Sequence, residues 1–155
     1  MIELMIVAVA IGIFSAIAIP RFGKVMDRLK LKTSARDVTS VLRLARSNSV
    51  SQKRPYGVYF DVNNRQYVLF KDKVNLSSYT YDLGDSAIKV NVLPENVNFG
   101  YASFNNSTVV FRPNGSASSS GMVDLYSYDI YDYLWVDVLA STGRVKLEKY
   151  ACEYY

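Results

Sequence analysis

The sequence predicts an α+β protein in which one long N-terminal α-helix packs on an antiparallel β-sheet or sandwich. Three observations predict this fold class. The first stretch is apolar and almost uncharged, the next has the period of an amphipathic helix, and the remainder consists of short alternating segments separated by turn residues. The 155 residues leave about 100 after the helix, which is enough for one globular domain.

The opening stretch, Met1 to Pro20, carries one charged side chain, that of Glu3. Its length is close to the roughly 20 apolar residues that cross a bilayer as a helix. An acid in such a helix is costly unless a partner neutralises it, so Glu3 is predicted to be functional. A cleaved signal peptide is the alternative, but the stretch runs directly into a charged, helix-favouring segment. We therefore predict a transmembrane or filament-core helix over residues 1–24 and a globular head over residues 25–155.

Gly12 and Pro20 predict a weak segment within this helix. Proline removes a backbone donor and kinks a helix, and glycine destabilises a helix interior. We expect the helix to be kinked near Pro20, and Gly12–Pro20 is the segment that we expect to melt.

An amphipathic helix is predicted over residues 25–52. Apolar residues recur on one face, at Leu31, Ala35, Val38, Leu42 and Ala45, and basic residues lie off the centre of this stripe, at Arg28, Lys32, Arg36, Arg43 and Arg46. The helix should end near Gln52, because the residue that precedes Pro55 is disfavoured in helical conformation.

A β-domain is predicted over residues 56–150. Tyr56–Val62 and Arg65–Lys71 flank Asn63-Asn64, which predicts a hairpin with a two-residue turn. Lys71–Ser86 is polar and predicts a loop, with a short strand at Tyr79–Leu83 as an option. The remaining predicted strands are Ala87–Leu93, Val97–Tyr101, Thr108–Arg112, Met122–Tyr126, Leu134–Leu139 and Arg144–Lys149.

The alternation of these strands predicts one apolar sheet face, with the helix stripe as its natural cover. In the third strand, the residues that share a face are Ile88, Val90 and Val92.

Short motifs at the N-terminus resemble those of a known superfamily. The run I-E-L-M-I-V at Ile2–Val7, then Gly12, then A-I-P-R-F at Ala18–Phe22, is similar to the N-terminus of type IV pilins and type II secretion pseudopilins. Further motifs resemble the FimT/GspH subgroup: S-A-R at Ser34–Arg36, L-A-R-S-N-S-V at Leu44–Val50, F-R-P-N-G at Phe111–Gly115 and S-T-G-R-V at Ser141–Val145.

The resemblance implies a pilin head carried on a helix that is inserted in the inner membrane and then polymerised. It implies a homo-oligomer or mixed pilin filament, a prepilin peptidase and an assembly platform as partners, and a final place in an extracellular pilus or a periplasmic pseudopilus. The filament would serve adhesion, motility or secretion. Glu3 would meet the positively charged N-terminus of a neighbouring copy. The subgroup favours a minor subunit, and a major subunit stays open.

The composition argues against an enzyme. The chain has no histidine, which removes the commonest general base and transition-metal ligand. Four acids, Asp124, Asp129, Asp132 and Asp137, lie close in sequence, but their spacing matches no calcium loop. We therefore expect no catalytic residues, no cofactor and no bound metal.

A DNA-binding receptor for natural transformation is the alternative function. The net charge is +4, and Gly143-Arg144-Val145-Lys146 resembles the basic G-R-x-R stretch of FimT-like minor pilins. Arg144, Lys146 and Lys149 are therefore the candidate DNA-binding or ligand-binding residues. A solvated edge strand, with Glu148 diluting the charge, explains the same pattern.

Tyrosines cluster near the end of the chain. Tyr126, Tyr128, Tyr131 and Tyr133 lie within one short segment, and their alternation places some of them on a surface. They are the candidate residues for adhesion or for contact between subunits.

Overall fold

The computed structural model describes residues 2–74 and 78–149. Helix α1 spans Ile2–Gln52 and is followed by two four-stranded antiparallel sheets. The strands are β1 Tyr56–Asp61, β2 Gln66–Lys71, β3 Ser86–Val92, β4 Asn98–Ala102, β5 Thr108–Phe111, β6 Gly121–Ser127, β7 Asp132–Leu139 and β8 Arg144–Lys149. The first sheet has the order β3-β2-β1-β5 and the second has the order β4-β6-β7-β8. The predicted α+β class, with a long helix on an antiparallel sandwich, is confirmed.

The apolar stripe of α1 is buried as predicted. Leu31, Ala35, Val38, Leu42 and Ala45 have almost no exposed surface. They share one core with the inner faces of both sheets, where Phe60 and Phe99 meet edge to face at 5.7 Å between ring centroids. Each large apolar side chain buried in this way contributes about 1.5–3 kcal/mol. The helix therefore holds the two sheets together.

The helix ends where the sequence predicts. Gln52 is its last residue, and Lys53 takes a left-handed conformation with φ 54° before Arg54-Pro55. A left-handed residue is a common helix stop.

The first half of α1 projects beyond the head. Its backbone is helical through Gly12 and Pro20, so the bend or melting of Gly12–Pro20 stays a prediction. Large apolar side chains are exposed along it, at Ile2, Met5, Ile6, Val7, Val9, Ile11, Ile13 and Phe14. Among the residues that the structure describes, no helix has both the length and the apolar character that a membrane crossing needs. The membrane segment over residues 1–24 stays a prediction.

The first hairpin forms, but its turn is wider than predicted. Asp61 pairs with Gln66, so the turn comprises residues 62–65 rather than Asn63-Asn64 alone. The Asp61 carboxylate accepts hydrogen bonds from the backbone N–H (3.1 Å) and the side-chain amide (2.7 Å) of Asn64. This side-chain capping favours the longer turn, in which Arg65 takes the left-handed conformation.

The apolar row of β3 does not contribute to the core. Ile88, Val90 and Val92 are exposed. Because β3 is the edge strand and Val90 pairs with Val68, this row lies on the outer face of the first sheet, away from the helix. The expectation that alternation alone identifies the covered face is wrong for this strand.

The loop between β2 and β3 covers part of that outer face. The strand considered at Tyr79–Leu83 does not form. Instead the Tyr81 ring stacks on the Tyr59 ring, with 5.5 Å between the ring centroids, and packs against the Phe70 ring, with 4.9 Å between the centroids. Asp72 begins the loop and is 2% exposed, and one of its carboxylate oxygens has no hydrogen-bond partner. Burial, together with the charges of Asp85 and Asp82, raises the pKa of Asp72 to about 6.

We expect Asp72→Asn to raise the free energy of unfolding by about 1–3 kcal/mol above pH ~7 and to have little effect below pH ~4. A raised native pKa gives stability that is present below the unfolded value of 3.8 and lost as pH rises through about 6. Urea denaturation across this range measures the effect. Asp61→Asn is the control and should change stability in the opposite direction. The hydrogen bond from Asn64 lowers the pKa of Asp61, so the ionised Asp61 stabilises the wild type at neutral pH and this stability is lost as pH falls. Equal stabilisation by Asp72→Asn at both ends of the range would contradict the prediction.

Candidate functional site

A groove lined by three arginines lies between the end of α1 and the β7–β8 turn. Arg43 and Arg46 come from the last turns of the helix, and Arg144 is the first residue of β8. Hydroxyls of Ser47, Ser51 and Thr142 and apolar groups of Val50, Leu139 and Val145 complete its wall. Its volume is about 910 Å³, and none of the described residues that line it carries a carboxylate. We call it the arginine groove.

One segment of the helix and two turns, all distant from one another in sequence, build this groove. Arg46 Nε donates to the carbonyl of Gly115 at 3.0 Å, and Arg43 Nη2 donates to the carbonyl of Val145 at 3.1 Å. Gly143 takes φ 61°, and a Cβ there would collide with the carbonyl oxygen of Gly115. The motifs at Leu44–Val50, Phe111–Gly115 and Ser141–Val145 therefore meet at one junction.

Each guanidinium keeps donors for a ligand at this junction. An arginine has five N–H donors in a planar fork, and each of these backbone bonds uses one of them. Such a fork matches the oxygens of a carboxylate or phosphate. The groove can therefore bind an anionic group against an apolar floor.

The three basic residues predicted for DNA binding have different neighbours. Arg144 lines the arginine groove. Lys146 lies 2.6 Å from Glu148, and this lysine holds the pKa of Glu148 below its usual value. Lys149 lies 3.6 Å from Asp132, which also faces Arg28 at 3.8 Å. Glu148 dilutes the charge as the sequence predicts.

Arg43 and Arg46 were not predicted as site residues. Their position off the apolar stripe indicated that they are exposed, but not that they face β8. The signal that could have identified them is the motif L-A-R-S-N-S-V, which contains Arg46 and meets the two glycine turns.

The tyrosines lie on the outer face and at one end of the second sheet. Tyr126 and Tyr133 are cross-strand partners with ring centroids 5.9 Å apart. The hydroxyl of Tyr126 donates a hydrogen bond to the hydroxyl of Tyr128 at 3.1 Å. This hydrogen bond is the main reason why the pKa of Tyr126 is raised to about 12. Tyr131 lies in the β6–β7 turn with φ 50° and is exposed. Their role in surface contact stays a prediction.

Glu3 lies in the first turn of α1 with its side chain exposed. Gly12 lies on the same projecting half of the helix, and a Cβ added there would meet no other atom within 4 Å. The assembly role of Glu3 and the kink at Gly12 and Pro20 stay predictions.

Comparisons with known proteins give one family and several similar folds. A family model described as type II transport protein GspH matches residues 34–142, which is more than half of the chain. No match is found among curated proteins.

The solved structures similar to this chain share its fold at low sequence identity. The minor pseudopilin EpsH of the Vibrio cholerae type 2 secretion system is 15% identical with a TM-score of 0.60, covering 77% of this chain and 97% of that chain. The type IV minor pilin FimU of Pseudomonas aeruginosa is 16% identical with a TM-score of 0.60, covering 78% and 90%. The solution structure of E. coli GspH is 12% identical with a TM-score of 0.57, covering 78% and 89%.

We expect Gly143→Ala to lower the free energy of unfolding by about 1–3 kcal/mol, because a side chain there needs both a left-handed backbone and space that the Gly115 carbonyl fills. Thermal and urea denaturation measure the loss. Gly23→Ala is the matched control, since nothing lies within 4 Å of its Cβ position and alanine favours a helix by up to about 1 kcal/mol. Equal stability of the two variants would contradict the role given to Gly143.

Proposed function

The chain belongs to the GspH family within the type IV pilin and pseudopilin superfamily, and on that premise we propose that it is a minor subunit of a type II secretion pseudopilus or type IV pilus. It is inserted in the inner membrane and then polymerised through the first half of α1. A prepilin peptidase and an assembly platform process and mount it, and the finished filament is extracellular or periplasmic.

The observation that carries the proposal is the exposed apolar surface of the projecting half of α1. The described large apolar side chains at Ile2, residues 5–13 and Phe14 are exposed, and the described buried stripe begins at Leu31. Covering such a surface contributes on the order of 10 kcal/mol, so it needs lipid or neighbouring helices. The helices of neighbouring subunits in a filament supply that cover.

Glu3 gives the filament its register in this proposal. Buried in a helical bundle, its carboxylate pairs with the positively charged N-terminus of a neighbour, and either charge alone costs several kcal/mol. Its exposed position on the first turn of the projecting helix leaves it available for that contact.

Similarity to solved structures favours neither filament type. The TM-score is 0.60 to a minor pseudopilin and 0.60 to a minor pilin. Both of these proteins are described as minor subunits, which supports the proposal of a minor subunit for this chain.

We expect Glu3→Ala to lower incorporation into filaments by about 100-fold, because the neighbour's N-terminal charge stays buried without a partner. Immunoblots of sheared filaments measure incorporation, and immunoblots of the membrane fraction should show unchanged insertion. Glu95→Ala removes an exposed carboxylate of the head and is the control, with normal incorporation expected. Filaments of normal composition from Glu3→Ala would contradict the register role.

DNA binding is the second candidate function, carried by the helix rather than by β8 alone. Lys32, Arg36 and Arg43 are exposed on α1, and Arg36 and Arg43 line a shallow groove of about 300 Å³ against Leu147 of β8. A row of cations beside an edge strand attracts the phosphate backbone of DNA.

For this candidate we expect Lys32→Ala with Arg36→Ala to make the slope of log affinity against log salt shallower by about 2. Fluorescence anisotropy with a short labelled duplex measures the slope. Lys146→Ala is the control, because Glu148 already engages that lysine and little change is expected. Absence of binding at low salt would rule out this candidate.

A further inference from the structure

We propose that a basic collar on α1, made of Lys24, Arg28 and Lys32, binds the phosphate groups of anionic phospholipids while the chain is inserted in the membrane. The inference rests on the proposed function, because it concerns the membrane stage that precedes polymerisation. It adds the lipid headgroup as a partner, and it gives a reason for the height at which the helix sits in the bilayer.

The net charge of the chain is concentrated next to its apolar stretch. Residues 21–32, which directly follow Pro20, hold five basic residues and one acid, a net charge of +4. The net charge of the whole chain is also +4, so the remainder of the sequence is balanced. Basic residues that set the orientation of a membrane helix lie on its cytoplasmic side, whereas the proposed function puts this segment on the opposite side, with the head. Orientation therefore does not explain the cluster.

The spacing along α1 puts the basic collar at the level of the headgroups. At about 1.5 Å per residue, Lys24 lies about 31 Å from Glu3 along the helix, and the hydrocarbon core of a bilayer is about 30 Å thick. With the collar at one surface of the hydrocarbon, Glu3 is at the other, where water can solvate its carboxylate. Arg28 lies about 6 Å beyond Lys24, and helical side chains point back towards the N-terminus, so its guanidinium reaches the same layer.

The three cations share one face of the helix and are available for a ligand. Residues at i, i+4 and i+8 are neighbours on a helix surface, and this is the spacing of Lys24, Arg28 and Lys32. All three side chains are exposed. Lys24 and Lys32 make no ion pair within residues 2–74 and 78–149. Lys30, by contrast, lies 3.6 Å from Asp27.

The part of the head that faces the basic collar adds positive charge. Asp132, the first residue of β7, lies 3.8 Å from Arg28 and 3.6 Å from Lys149, so one carboxylate serves two cations and leaves charge for a second anion. The cleft between α1 and these strands has a volume of about 290 Å³. Glu148 also lines it, with its carboxylate 2.6 Å from Lys146. Apolar side chains form the rest of its wall, at Leu31, Leu134 and Leu147.

Apolar side chains beside the basic collar favour a lipid over a soluble anion. Val25, Met26 and Leu29 are exposed on the same two turns of α1. A helix segment that combines exposed apolar and basic side chains is typical of the interfacial layer of a bilayer, where cations meet phosphates and apolar groups meet acyl chains. A soluble anion offers no partner for the apolar groups.

Native mass spectrometry of the full chain in a neutral detergent tests the partner. Phosphatidylglycerol and phosphatidylcholine with the same acyl chains are added in equal amounts, and the bound molecules of each are counted. We expect phosphatidylglycerol to bind at least about fivefold more often, because each basic residue at an anionic surface favours binding. Equal binding of the two lipids would overturn the proposal.

Variants identify the residues. Lys24→Gln with Arg28→Gln should remove the preference for phosphatidylglycerol. Lys53→Gln with Arg54→Gln removes the same two kinds of charge just beyond the other end of α1, and this matched control should keep the preference. Lys24→Arg with Arg28→Lys retains both charges and should also keep it, which separates the effect from a folding defect. A preference that survives in the first variant, or that is lost in either of the others, would contradict the role of the basic collar.

The height of the helix is measured in vesicles. In a chain with Cys152→Ser, a cysteine introduced by Val25→Cys carries a fluorescent label, and acrylamide is the quencher in the water phase. Phosphatidylglycerol should make quenching about twofold weaker than in pure phosphatidylcholine, and about 1 M salt should abolish the difference, because the Debye length is then about 3 Å. The same quenching in both vesicles at low salt would speak against the inference.

Competitors distinguish the lipid from other phosphates. Inorganic phosphate and a short DNA duplex, each at the concentration of the lipid, should leave bound phosphatidylglycerol unchanged, because neither can cover the exposed apolar side chains. Displacement of the lipid by either competitor would reject the lipid as the partner.

The outcome is separable from that of the filament proposal. Flotation with the vesicles measures insertion, which the apolar stretch should supply in both lipids, and a chain that floats with neither would reject the membrane stage and the basic collar together. Normal filaments from a chain without the lipid preference would retain the filament function and reject the collar. A charge-dependent preference in a chain that enters no filament would support the collar and reject the filament function.

Discussion

The burial of one helix face against two sheets is the interaction on which the rest of the structure depends. The stripe from Leu31 to Ala45 is covered by the inner faces of both sheets, and neither sheet has another α-helix to cover it in the described part of the chain. The same stripe fixes the rotation of α1 about its axis. That rotation sets which basic residues face β8, so the arginine groove is a consequence of core packing rather than an independent feature.

Periodicity in the sequence predicted most of this fold. It was wrong where burial depends on which face of a strand another element covers. The stripe of α1, its end at Gln52 and the succession of strands along the chain all follow from local patterns. The apolar row at Ile88 and Val90 follows the same pattern but lies outside, because period two says which residues share a face and not which face is covered. The wider turn at Asp61 depends on one side chain bonding to Asn64, which no pattern of hydrophobicity contains.

The candidate site was predicted less well, because it forms between segments distant in sequence. Arg144, which lines the groove, was singled out from a short motif, and its role stays a prediction. Arg46 was not singled out, since its role depends on the Gly115 carbonyl, 69 positions away. The charges of Lys146 and Lys149 lie beside Glu148 and Asp132 once the strands are in register, and their role in ligand binding stays a prediction. Charge in a sequence is a property of residues, whereas potential at a surface is a property of their neighbours.

The continuity of α1 has a mechanical consequence. The helical backbone runs from the exposed first turn into the centre of the core, with one intrahelical hydrogen bond missing at Pro20, which has no N–H. A force applied to the projecting half is therefore transmitted along one helix to the stripe at Leu31–Ala45 for as long as the segment Gly12–Pro20 stays helical. The head resists such a force through the packing of the stripe against two sheets, which many small apolar contacts share. Tension on the projecting half and integrity of the head are thus coupled within one element.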